Sequence, residues 1–215
     1  MQFSQFLPVC AVLFALPAFA QDYPSATITN GVITAELYLP DPVNGSYRAT
    51  RFDWSGIIRS LTYQDHNFFG QWYEKHDPLV HDAITGPVNI FDNAGPATGY
   101  TEAKPGQTFI RIGVGRVEKP DEQPYGELHT YKVVDPGNWR IRKHNNSIEF
   151  TQELSDEQAH TGYGYSYSKT VTLTPGKSEM VLSQDLKNTG SKAIDAEPSL
   201  EDVFVTISRA QSAKQ

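Results

Sequence analysis

Six histidines are scattered along the chain, and two of them recur as His-Asp pairs, His76-Asp77 and His81-Asp82. Imidazole and carboxylate together suit either proton transfer or metal ligation. The five-residue repeat fits neither a helical turn nor one face of a strand, and Pro78 interrupts it. A solvated loop is therefore the expected setting, and no metal is assigned. Glu127 and His129 sit two apart in Tyr125-Gly126-Glu127-Leu128-His129-Thr130-Tyr131. In an extended segment both would project to one sheet face. They would then serve as an acid–base pair near neutral pH or as an ordinary surface ion pair.

A third group is aromatic: Tyr63, Phe68, Phe69, Trp72 and Tyr73 around His66. Rings beside polar groups suit a sugar, which stacks its C–H face and hydrogen-bonds its hydroxyls. They also suit plain sheet packing. No phosphate-cradling glycine loop, serine elbow or kinase signature occurs. Asn44-Gly45-Ser46 and Asn145-Asn146-Ser147 match the N-glycosylation acceptor.

The elements that must hold these residues read as strands. Ile33, Ala35, Leu37 and Leu39 alternate with polar neighbours, as do Ile148, Phe150 and Leu154. The same rule covers Tyr165, Tyr167, Val171 and Leu173, then Met180, Leu182 and Leu186. Ile110, Ile112 and Val114, alternating with Arg111 and Gly113, predict a further strand. Period-two patterns of this kind bury one face of an antiparallel sheet and wet the other. Asn30-Gly31, Asn44-Gly45, Asp135-Pro136-Gly137-Asn138 and Thr174-Pro175-Gly176-Lys177 supply reversals, the last two between neighbouring strands. No window reads as an amphipathic helix. The expectation is all-β, an antiparallel β-sandwich in one domain, with a long polar-aromatic excursion over 64–108 of functional or lid-like character.

Composition narrows the partners. The chain has 215 residues, a formal charge of −7, 16 glycines and 14 prolines. An acidic surface excludes the basic face that nucleic acids or anionic membranes require. The apolar run from Phe6 to Leu16 is too short to span a bilayer and ends in Ala18-Phe19-Ala20. It predicts a signal peptide over 1–20, cleaved after Ala20, and hence a secreted or periplasmic protein with no membrane attachment afterwards. Cys10, the one cysteine, would leave with it, so neither disulfides nor thiol chemistry is expected.

The segment Gly164 to Ile194, with its Thr174-Pro175-Gly176 turn and terminal Asn188-Thr189-Gly190, resembles the galactose mutarotase-like (aldose 1-epimerase-like) family. Gly31-Val32-Ile33, Arg51-Phe52-Asp53-Trp54-Ser55-Gly56-Ile57-Ile58, Gly86-Pro87-Val88 and Tyr131-Lys132-Val133-Val134-Asp135-Pro136-Gly137 are similar to a secreted, uncharacterised branch of it. The resemblance spans about residues 28–195. It implies a large antiparallel supersandwich with a sugar cleft, and a small-molecule sugar as partner. Anomers would interconvert by a carboxylate base and a histidine acid, with no cofactor. It points to His81 or His129 as acid or sugar ligand, with Arg111, Arg116 and Trp72 holding the sugar. After Ile194 the family pattern continues with further strands and the base carboxylate, whereas this chain reads Ala196-Glu197-Pro198-Ser199-Leu200. Residues 21–195 are thus expected to form the sandwich, its C-terminal part missing, and 196–215 an atypical tail. A carbohydrate-binding sandwich without catalysis, or a truncated product without function, are the alternatives to an active epimerase.

Overall fold

The computed structural model describes residues 22–71, 73–92, 95–194 and 196–200. Thirteen strands and no helix occur among them. The segment read as a signal peptide lies outside the described residues, as do Trp72 and residues 201–215.

Two four-stranded antiparallel sheets form the body. The first runs β1 (Ser25–Thr29), β2 (Ile33–Tyr38), β3 (Ile58–Tyr63) and the short β4 (His66–Asn67). The second places β9 (Asn138–Lys143), β10 (Ser147–Leu154), β11 (Tyr165–Leu173) and β12 (Met180–Asn188) side by side in chain order. Their inner faces meet. Ile28, Ile33, Ala35, Leu37 and Ile58 of the first sheet pack with Ile148, Phe150, Val171 and Leu173 of the second in one buried cluster. The alternation read from the sequence is what makes this possible, since every second side chain of β10 and β11 is buried.

The hairpin turns follow their residue chemistry. Asn30 caps the β1–β2 turn by accepting from the Val32 and Ile33 amides, both at 2.9 Å, while Gly31 takes a φ of +82°. Thr174-Pro175-Gly176-Lys177 joins the paired strands β11 and β12. The Asp135–Asn138 reversal departs from expectation. It turns a corner between β8 (Val133–Asp135), in a three-stranded sheet with β6 (Thr108–Arg111) and β7 (Gly115–Glu118), and β9 of the second large sheet.

The strand expected through Val114 stops at Arg111. Gly113 and Gly115 both take positive φ and fold the chain into the β6–β7 hairpin, so Arg111 and Gly113 are buried rather than wetted. The 64–108 excursion is mostly irregular, but it contains β5 (Asn89–Asp92). Its partner is β13 (Glu197–Leu200), four residues of the segment set apart as a tail, paired antiparallel from Glu197↔Asp92 to Leu200↔Asn89. At the far side β12 is the edge strand among the described residues. Its inward Met180, Leu182 and Leu186 are only part-buried.

The segment Phe52 to Ile58 threads through the core and is buried throughout. Asp53 sits at its centre. Its carboxylate accepts from the Ser55 amide at 2.8 Å and from the Tyr167 hydroxyl at 2.8 Å, and it pairs with the Lys169 ammonium at 3.3 Å. Lys169 also donates to the Ser55 carbonyl at 2.9 Å. Both charged side chains are essentially unexposed, at 1% and 0%. The ion pair is therefore compensated by hydrogen bonds on each side, the condition under which a buried charge is tolerated. Burial pushes the phenols of Tyr165 and Tyr167 far above the ordinary tyrosine value, and the Asp53 charge adds to it.

Candidate functional site

The residues that leave the core at the start of this threaded segment organise a surface site. Tyr47 donates its hydroxyl to the His81 carbonyl at 2.9 Å and accepts from the Phe52 amide at 3.2 Å. Thr50 donates to the His129 carbonyl at 3.2 Å and accepts from the Tyr131 amide at 3.0 Å. Residues 47–52 thus pin two loops, one carrying His81-Asp82 and the other Glu127 to Tyr131. Thr130 ties the loops directly by donating to the Leu79 carbonyl at 2.9 Å.

Between the loops stands Arg51. Its guanidinium donates through Nη1 to Asp82 and through Nε to Glu127 at 3.1 Å, and it lies 4.6 Å from the Phe52 ring centre. His81 Nε2 is 3.1 Å from the other Asp82 oxygen. Burial alone would lower the Arg51 pKa, but contacts with Glu127 and Asp82 outweigh it and hold the guanidinium charged. Asp82 and Glu127 remain 38% and 42% exposed, so each carboxylate keeps lone pairs facing solvent. His129 is exposed and packs edge-on to Tyr131 at 4.6 Å, while Tyr131 stacks on Tyr125 with planes 6° apart.

Several sequence expectations are corrected here. Glu127 and His129 do not share a strand face: a turn, with the His129 amide on the Gly126 carbonyl at 3.0 Å, separates them, and Glu127 pairs with Arg51 instead. Arg111 holds no exposed fork for a sugar. It is buried, with Nε on the Thr50 carbonyl at 2.9 Å and its other nitrogens on the Arg51 carbonyl and the Tyr125 hydroxyl. It positions Arg51 and Tyr125 from beneath. Arg116 is likewise buried. It donates to the Ser155 and Tyr163 carbonyls, both at 3.0 Å, to Thr161 at 2.9 Å, and pairs with Asp156 at 3.5 Å.

His76 is drawn away from His81, with Nε2 2.6 Å from the Ser46 carbonyl. Among the described residues no three His, Cys, Asp or Glu side chains gather at metal-binding spacing. The aromatic group around His66 disperses: Phe69 enters the core, Phe68 meets His66 edge-on at 4.7 Å, and Tyr73 is exposed. Trp72, the ring assigned to the sugar, lies outside the described residues.

Sequence reasoning missed Arg51 as the organiser and Asp82 as its partner, although both stood in segments it quoted. The signal was weak because the three participants come from positions 51, 82 and 127, which only the fold brings together. No protein-family model, curated protein or solved structure matches the chain.

Proposed function

We propose that this is a secreted carbohydrate-binding protein that holds a small sugar on the surface around Arg51. The observation that carries the reading is the double contact of Arg51 with Asp82 and Glu127, which fixes two half-exposed carboxylates from different loops in one place. Fixed carboxylates accept sugar hydroxyls without paying again for side-chain ordering. His81 and His129 add polar edges, and exposed Leu79 and Leu128 offer apolar surface to a sugar's C–H face. The apolar N-terminal run ending at Ala20 supports export, and the resemblance to the mutarotase-like family supports a sugar as ligand.

The His81–Asp82 contact favours a second reading, anomerisation by that pair. One set of measurements separates the two. Thermal melts of the purified chain against a panel of aldoses and uronic acids should show a ligand-dependent rise for at least one sugar. D82N combined with E127Q should abolish the rise. Polarimetry of the freshly dissolved α-anomer then reports catalysis: an unaccelerated approach to equilibrium fits a binder, and acceleration lost in H81A fits an epimerase. A cooperative melt that no sugar moves would sink both.

A further inference from the structure

On the opposite flank of β10 the surface holds three depressions of about 410, 710 and 530 Å³. They are continuous. The first and second share Thr108 and Ala159, and the second and third share Asn138, Glu153, Ser155 and Glu157. Together they make a trough that wraps the loop from Ser155 to Gly162.

The loop is fastened from both sides. Asp156 accepts from the Thr161 amide at 2.9 Å, the Thr161 hydroxyl at 2.6 Å and the Gly162 amide at 2.7 Å. Arg116 clamps four groups of the same loop and of Tyr163 from the interior. Arg116 lines the middle depression, is 3% exposed, and its Nε has no hydrogen-bond partner among the described residues. An unmet buried donor at the floor of a polar trough calls for an oxygen or an ordered water brought by a ligand.

The charge of the walls selects the ligand. Asp135, Glu153 and Glu157 line the middle depression. The nearby cations already face carboxylates: Arg116 has Asp156, Arg140 lies 3.9 Å from Glu153, and Lys192 holds Glu102 in the first depression. What is left is a surplus of acceptors, with Val134, 51% exposed, as apolar footing. An anionic chain is repelled there and a cationic one is drawn in.

We infer that this trough is a second binding site, separate from the Arg51 surface, that takes an extended amino-sugar chain whose ammonium groups meet Glu153 and Glu157 and whose hydroxyls meet the remaining polar wall. Calorimetry of the full chain with a glucosamine tetramer tests it, with the N-acetylated tetramer as the uncharged control. The amine form should bind, weaken as salt is raised, and exceed the acetylated form by about tenfold or more. E153Q combined with E157Q should lose about tenfold in affinity while its thermal melt stays unchanged, because neither side chain is buried. D82N should leave tetramer binding intact, so failure of the Arg51 reading and failure of this one are distinct results. No binding of the amine tetramer by folded protein, equal binding by the double variant, or loss of binding in D82N would each overturn the assignment.

Discussion

Two ion clusters flank the same short segment and behave in opposite ways. Two residues along from Arg51, Asp53 faces Lys169 in the core with both charges out of water. Arg51 itself faces Asp82 and Glu127 at the surface with the carboxylates about two-fifths exposed. The residue types are the same, and what differs is the alternative open to each group. A core charge that loses its partner has no water to turn to, whereas a surface carboxylate that loses its partner is simply hydrated. The inner cluster therefore holds the fold, and the outer one is free to exchange its partners for a ligand.

The contrast is sharpest in the size of the expected losses. K169M should cost about 3–5 kcal/mol in urea unfolding, because it strands the Asp53 carboxylate among apolar groups. A loss below about 1 kcal/mol, the range of exposed pairs, would erase the distinction between the clusters. G113A comes next. A Cβ there would stand 2.5 Å from the Asp53 carboxylate at a φ of +79°, so a loss of about 1–3 kcal/mol in thermal melting is expected. D82N should change stability by no more than about 1 kcal/mol, since the pair it breaks is part-exposed. Any larger loss by the same melt would make Arg51 a structural residue and weaken its reading as a ligand surface.

The smallest effect is a pH response of the trough loop. Burial would raise the Asp156 pKa, but hydrogen bonds from Thr161 and Gly162 and the Arg116 charge bring it below the ordinary 3.8. A carboxyl with a folded pKa below its unfolded one stabilises the fold in full above about 3.8, and that contribution fades as pH falls through the lower folded value. The Thr161 and Gly162 amide resonances should accordingly hold steady down to about pH 4 and shift below it. Resonances that move between pH 5 and 7 instead would contradict this.

The sandwich was legible because its two main strands alternate cleanly, with Ile148, Phe150, Val171 and Leu173 all inward. The same alternation placed Lys169 on the inward face, a charge among apolar neighbours that was itself a sign of a buried partner. The β6–β7 region misled for a physical reason. Ile110 to Val114 alternates as a strand does, yet Gly113 and Gly115 permit a tight hairpin packed against Asp53, and every side chain there is buried. Arginines were the hardest to place. Arg111 and Arg116 look in sequence like ligand forks, but each guanidinium is satisfied mainly by backbone carbonyls, and carbonyl positions are set by the fold alone. Of the site, His81 and Glu127 were visible as candidates, while the arginine joining their loops was not.

The buried phenols give this core a clock of its own. Tyr47, Tyr165 and Tyr167 are held far above the pH at which exposed Tyr73 ionises. On a rapid jump to alkaline pH, phenolate absorbance should therefore arrive in two instalments. The first comes on mixing, from rings in contact with solvent. The second waits for the sandwich to part, so its rate is the opening rate of the interface between β10, β11 and the threaded segment, read without any attached label.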